Sequence, residues 1–175
     1  TNALIDCVSR VLQGRQNPFG GKYKFGLSSP AFVESGKQME ATPDGRRRGE
    51  PLGVHISNHK ETNYTSLFNF SSQLNYDKAF NGAVTDVVID SGFLRKNFNN
   101  FLSLFKTFFI KGGLQLQCNV LDYTTLTKAL KNPEEFPNLV VRVWGFSAYF
   151  KDLPKEYQEL IVERARQYET NAFND

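Results

Sequence analysis

The feature that most constrains this chain is a glycine inside an apolar, aromatic run at residues 142–150, which read RVWGFSAYF. Valine and aromatic residues favour β-strands, whereas a glycine inside a strand loses conformational entropy and has no side chain to pack. Gly145 therefore predicts a bulge, a tight bend or a close approach of another backbone in the middle of this run.

Charge and hydropathy exclude several classes of protein. The 175 residues are enough to bury a core, and 21 basic against 18 acidic residues give a net charge of +3, too small to favour a nucleic-acid partner. We expect the basic run at residues 46–48 to be a solvated or ion-paired turn. No apolar stretch reaches 18 residues, so no membrane segment is predicted.

Cysteine and histidine usage does not indicate a metal site. Cys7 and Cys118 match no metal-ligand spacing, which favours a reduced, cytoplasmic protein. We interpret both as buried thiols, with Cys7 in the core. His55 and His59 are four residues apart, but we expect them to be exposed in a loop, and we predict neither a metal nor a bound cofactor.

Apolar periodicity predicts alternating strands and helices, and hence an α/β fold. Residues 14–63 are rich in turn signals and predict one long loop. Strands are predicted at 82–90, 114–121 and 139–143. Helices are predicted near 4–12, weakly at 64–76, at 93–111 with its phenylalanines in the core, at 122–132 and at about 154–167.

Four segments of the chain carry a family resemblance, in the same order as in that family. They are ATPDGR at residues 41–46, GGLQLQCNV at 112–120, NPEEFPNL at 132–139 and RVWGF at 142–146. Together they resemble the motifs of the glycyl radical enzymes, the pyruvate formate-lyase group. The resemblance extends over roughly residues 1–170.

The resemblance implies a fold and a division into regions. We expect the C-terminal part of a ten-stranded α/β barrel, with the glycine loop inserted toward the barrel centre. Residues 1–40 would end the preceding barrel region, and residues 41–175 would be the glycyl radical domain. Within it, the radical loop would span residues 142–150 and be followed by the C-terminal helix.

The resemblance also implies the residues of the site. Gly145 would be the catalytic residue, storing a radical on its Cα. A neighbouring set would support the loop: Arg142, Val143, Trp144, Phe146, Ser147 and Tyr149. We expect Arg142 to anchor the loop through carbonyl or carboxylate contacts, while Trp144 departs from the family, where a small residue is usual.

Partners are implied by the same resemblance. A separate radical S-adenosylmethionine (iron–sulfur) activase would install the radical, which would pass to a cysteine outside this chain and then to a small-molecule substrate. Cys118 is an alternative thiyl cysteine, although the family's cysteine belongs to a loop several hundred residues upstream. The complete enzyme, a lyase, dehydratase or decarboxylase, would be a homodimer, and this chain alone would be inactive.

Two function classes stay open at this stage. The chain is either the C-terminal portion of a large glycyl radical enzyme or a stand-alone module that docks on and repairs a truncated one. The helical pattern that begins directly at Thr1 and the segment at 41–46 favour the first. A structural α/β domain with a coincidental glycine loop is the remaining alternative.

Overall fold

The computed structural model describes residues 1–27, 32–43, 45–53, 55–57, 63–78, 82–143 and 145–172, with the side chains of Ser57 and of 168–172 excepted. The helices in these ranges are α1 (Asn2–Leu12), α2 (Phe32–Lys37), α3 (Tyr64–Ser71), α4 (Ser91–Lys96), α5 (Phe98–Ile110), α6 (Tyr123–Lys131) and α7 (Lys155–Ala172). The strands are β1 (Ile56–Ser57), β2 (Val84–Asp90), β3 (Gln115–Leu121), β4 (Val140–Val143) and β5 (Phe146–Tyr149). Short 3-10 turns lie at Tyr76–Lys78, Pro133–Glu135 and Phe150–Asp152.

The strands form a three-stranded sheet and a separate hairpin. The sheet has the order β1-β2-β3, and β1 runs parallel to β2 with Ile56 opposite Thr85. All residues of β2 from Thr85 to Ile89 are buried, as expected for a strand covered on both faces. The hairpin joins β4 to β5 in antiparallel pairing. The predicted α/β class is confirmed, since strands and helices alternate along the chain.

The described residues divide into two compact units. The first comprises Thr1–Ser57, Phe68–Asp86 and Phe108–Leu116, and its core includes a tilted contact between the rings of Phe68 and Phe108, with centroids 5.3 Å apart. The second comprises residues 58–67, 87–107 and 117–175. Its core includes the edge-on pair Tyr64–Phe101, and the Tyr64 hydroxyl donates to the Val88 carbonyl at 2.8 Å.

The prediction of one helix over residues 93–111 was wrong. The chain forms α4 and α5, which meet at Asn97, where the main chain leaves the helical conformation with φ −116° and ψ 24°. The side-chain amide nitrogen of Asn97 donates to the Phe93 carbonyl at 3.1 Å. Asparagine side chains compete with helix backbone in this way, so a local polar contact overrides the apolar periodicity.

The phenylalanines of this region are not all in the core. Phe101 and Phe108 are buried, whereas Phe98, Leu102 and Phe109 are exposed. The sequence therefore overestimated the burial of α5. Within the described parts of the chain, no helix combines the length and the apolar character needed to cross a membrane.

The long loop predicted over residues 14–63 contains two short elements, α2 and β1, that were not predicted. Helix α2 is fixed by the burial of Phe32 and Val33 and by Gly36, where a Cβ would collide with the Glu50 carbonyl oxygen. Six residues are too few to give a clear helical period, which explains the error.

Arg46 was predicted to lie in a solvated or ion-paired turn, and this was wrong. Its side chain is 3% exposed and donates to the main-chain carbonyls of Arg47 at 3.1 Å, Glu50 at 2.8 Å and Glu40. Arg48 behaves as predicted, forming an exposed ion pair with Glu40 at 3.2 Å.

Helix α6 begins with a side-chain cap. The Asp122 carboxylate accepts from the Thr125 main-chain N–H and the Thr124 hydroxyl, both at 2.6 Å. These hydrogen bonds, led by that from Thr124, hold the pKa of Asp122 below its usual value of 3.8. Ionised Asp122 is therefore favoured by folding and stabilises the start of α6.

We expect Asp122→Ala to lower the free energy of unfolding by about 1 kcal/mol at pH 7. Because the folded pKa is lowered, this difference from the wild type is complete above the usual pKa and shrinks as the pH falls through the folded pKa. Urea denaturation at pH 7 and pH 3 measures both. Asp122→Asn, which keeps the cap, is the control, and an unchanged stability of Asp122→Ala at pH 7 would contradict the assignment.

Arg46 and Arg48 offer a matched pair of tests. Arg46→Met leaves buried carbonyls unpaired and should cost about 1.5–3 kcal/mol, whereas Arg48→Met removes one exposed ion pair and should cost less than about 1 kcal/mol. Thermal or urea denaturation of the two variants compares them directly. Equal losses of unfolding free energy in the two variants would contradict the structural role assigned to the buried Arg46 side chain.

Candidate radical loop

Gly145 lies in the turn of the β4–β5 hairpin. Val143 at the end of β4 pairs with Phe146 at the start of β5, and Gly145 lies between them. Gly145 has φ +120°, is exposed, and has no atom within 4 Å of the position a Cβ would take. Of the three possibilities predicted, the tight bend is the one observed, and glycine is favoured by backbone conformation rather than by lack of space.

Alternating burial explains why residues 140–143 form a strand. Val141 and Val143 are buried, whereas Val140 and Arg142 are exposed, which is the period of two expected for a half-buried strand. Residues directly opposite each other on paired strands lie on the same face of the hairpin. Val140 and Arg142 therefore share the exposed face with their β5 partners, Tyr149 and Ser147. The buried valines fix which face turns inward.

A side-chain amide is hydrogen-bonded to the edge of β4 that faces away from β5. Asn119, on β3 and 8% exposed, accepts a hydrogen bond from the Arg142 main-chain N–H at 2.8 Å and donates one to the Arg142 carbonyl at 3.0 Å. Asn119 belongs to the GGLQLQCNV segment that carries the family resemblance, but no role was predicted for it. The available signals were that motif and an asparagine inside a strand, where this residue type is depleted unless its amide is used.

A second side-chain amide is hydrogen-bonded to the main chain that follows β5, at the end of the hairpin away from the turn. The Phe150 N–H donates to the Leu139 carbonyl at 2.7 Å, which closes the strand pair. Gln158 of α7 is buried and donates from Nε2 to the carbonyls of Phe150 at 2.9 Å, Leu153 at 3.0 Å and Lys151 at 3.4 Å. Three carbonyls between β5 and α7 are thus within hydrogen-bonding distance of one side-chain amide, which the sequence analysis did not identify.

The predicted supporting residues surround the turn on both strands. The Arg142 guanidinium donates to the Ser147 hydroxyl at 3.4 Å, and both side chains are exposed. The guanidinium of Arg142 thus donates to a hydroxyl, and the main chain of Arg142 is hydrogen-bonded to Asn119. Trp144 lies outside the described residues.

Apolar side chains of the hairpin are left exposed. Val140 and the 48% exposed Tyr149 are paired at the end away from the turn, and Phe146, beside the turn, is 57% exposed. Exposed apolar groups on one hairpin are typical of a surface that meets another part of a protein or a ligand.

The other candidate residues lie elsewhere in the chain. Cys7 is exposed, so its predicted place in the core was wrong, and Cys118 is half-buried on β3 beside Asn119. His55 is half-buried rather than exposed, and His59 lies outside the described residues. Among the described residues, no group of three His, Cys, Asp or Glu side chains is placed to hold a metal ion.

Comparison with known proteins identifies a family. The family model described as "Glycine radical" matches residues 54–151, which includes the whole hairpin. The (2S)-3-sulfopropanediol dehydratase of Klebsiella oxytoca is 29% identical over 171 residues, covering 92% of this chain and 21% of that protein. The trans-4-hydroxy-L-proline dehydratase of Clostridioides difficile is 30% identical over 172 residues, covering 94% of this chain and 21% of that protein.

Solved structures agree with the sequence comparison. The glycerol-bound form of the B12-independent glycerol dehydratase from Clostridium butyricum matches with a TM-score of 0.84 and 33% identity, over 93% of this chain and 22% of that one. The chain spans about a fifth of the length of the relatives it matches and corresponds to their C-terminal glycyl radical domain. Because the family model covers more than half of its residues, the chain belongs to the glycyl radical enzymes.

Proposed function

We propose that this chain stores the protein radical of a complete glycyl radical enzyme on the Cα of Gly145. The observation that carries the proposal is a glycine at an exposed turn, at φ +120°, in a hairpin whose first strand is hydrogen-bonded by Asn119 and whose far end is hydrogen-bonded by Gln158. An exposed Cα is accessible to an activating enzyme, and the fastened strands hold it in one place.

The chemistry explains why the residue has to be glycine. The activase removes one hydrogen atom from the Cα, leaving an unpaired electron shared between the neighbouring amide nitrogen and carbonyl. This sharing requires a flat Cα, and a Cβ would crowd the flattened backbone. A cysteine outside this chain then gives its thiol hydrogen atom to the Cα, which restores glycine and leaves a thiyl radical that attacks the substrate.

We propose that the exposed hairpin face docks inside the complete enzyme. Burial of Tyr149 and Val140, which are paired on this face, would be favourable by about 25 cal/mol for each Å² of apolar surface covered. In the expected ten-stranded barrel, this face would lie toward the barrel centre, where exclusion of water protects the radical. The domain of residues 41–175, the activase partner, the homodimer and the cytoplasmic setting belong to the same proposal.

The domain of a larger enzyme is the better of the two function classes. The match to whole-length relatives covers more than nine-tenths of this chain, including the residues before the family model begins. A short repair module would resemble mainly the stretch around the loop. We propose a small hydroxylated molecule as substrate of the complete enzyme, since the relatives named above are dehydratases of such compounds.

Electron paramagnetic resonance tests the proposed radical. The chain would be treated anaerobically with S-adenosylmethionine, a reductant and an activase. Each activase used would first be shown to activate its own dehydratase. We expect a doublet, because one hydrogen remains on the Gly145 Cα, and we expect it to collapse when the chain carries glycine deuterated at Cα.

Gly20→Ala is the matched control for Gly145→Ala. Gly20 is also an exposed turn residue at positive φ, +81°, with no atom within 4 Å of a Cβ, so both substitutions impose similar strain. We expect Gly20→Ala to keep the doublet and Gly145→Ala to lose it completely. A doublet that persists in Gly145→Ala, or the absence of any doublet in the wild type, would refute the proposal.

A further inference from the structure

We propose that Asn119 is a positioning residue of the radical loop, whose side-chain amide replaces a neighbouring strand along β4 and so fixes the place of Gly145. This inference rests on the proposed radical function. It assigns a part in that function to a residue of β3 that does not belong to the loop itself.

The two hydrogen bonds of Asn119 are those a neighbouring strand would make. One amide accepts from the Arg142 N–H at 2.8 Å and donates to the Arg142 carbonyl at 3.0 Å. In an antiparallel pair, the N–H and C=O of one residue point to the same side. Both polar groups of Arg142 therefore point away from its β5 partner, Ser147.

Arg142 is the residue of β4 at which such a contact matters most. It lies three positions before Gly145, on a strand of four residues. A two-stranded hairpin is marginally stable by itself, and a slip of one residue would turn the buried Val141 and Val143 outward. The same slip would move Gly145 from the turn into a strand position.

The chemistry of the amide makes the inference testable. Asparagine offers both a donor and an acceptor, whereas an ionised aspartate only accepts and places a negative charge against the Arg142 carbonyl oxygen. A protonated aspartic acid again has one donor and one acceptor. Asn119→Asp therefore disrupts the contact at neutral pH and restores it in acid.

Amide hydrogen exchange of Arg142 is the first measurement. At pH 7.5 the ionised aspartate of Asn119→Asp can still accept from this N–H, but it repels the Arg142 carbonyl oxygen and so favours local opening of the strand edge. We therefore expect the protection factor of the N–H to fall by about tenfold, the equivalent of one net hydrogen bond. Returning to pH 3, below the ordinary aspartate pKa of about 3.9, should recover most of the protection. Cys118, Asp122 and Arg142 are charged or titratable neighbours in the chain, and their effects cancel in the comparison with the wild type at each pH.

The radical yield is the second measurement. After activation at pH 7.5, we expect Asn119→Asp to form several-fold less radical per chain than the wild type while urea denaturation shows that it is still folded. Asn138→Asp is the control, because it makes the same chemical change at an exposed residue just before β4 and should alter neither quantity. Wild-type exchange and wild-type yield in Asn119→Asp would overturn the inference.

A second variant covers the case in which Asn119→Asp does not fold. Asn119→Gln keeps the amide on a side chain one methylene longer, so it should reduce both Arg142 protection and radical yield to intermediate levels. A full radical yield together with an unprotected Arg142 N–H would overturn the positioning role. Failure of the radical proposal itself is distinguishable, because it would remove the doublet from the wild type and leave the exchange result unchanged.

Discussion

The structure around the site depends on one constraint, which is that the register of β4 has to be held from outside the hairpin. The turn conformation of Gly145 is useful for chemistry only if the strands on both sides of it cannot slide. Burial of Val141 and Val143 selects the inward face, and the two hydrogen bonds from Asn119 select the register. Burial alone is non-directional, so the polar contact supplies the precision.

The second end of the hairpin is held by the same device. Gln158 places one amide nitrogen near the carbonyls of Phe150, Lys151 and Leu153, and so joins the end of β5 to α7. Both fastenings use a neutral side-chain amide bonded to main chain. Neutral amides bind the main chain without burying a charge of their own, which suits a site that is proposed to hold an uncharged radical in a dry interior.

The sequence predicted the local part of this arrangement well. Alternating or β-branched residues located β2, β3 and β4 to within about two residues, and the aspartate at 122 correctly predicted the start of α6. The glycine inside a strand-forming run also correctly predicted a tight bend at Gly145. These signals are local, since each depends on neighbours within one element.

What the sequence did not reveal depends on specific side-chain contacts. Asn119 and Arg142 are 23 positions apart, and nothing in the sequence pairs a side-chain amide with one particular peptide group. The burial of Arg46 and the break at Asn97 were missed although their partners are near in sequence, because a specific hydrogen bond to the main chain overrides the average behaviour of the residue type. The exposure of Cys7 was also missed.

The most direct test of radical storage on Gly145 is the site of cleavage by air. Oxygen adds to a carbon-centred radical of the main chain, and the chain then breaks at that residue. Mass spectrometry of the activated chain after exposure to air should find a C-terminal piece that begins near Phe146, with a complementary N-terminal piece. An intact chain, or cleavage at another glycine such as Gly112 or Gly113, would contradict the account.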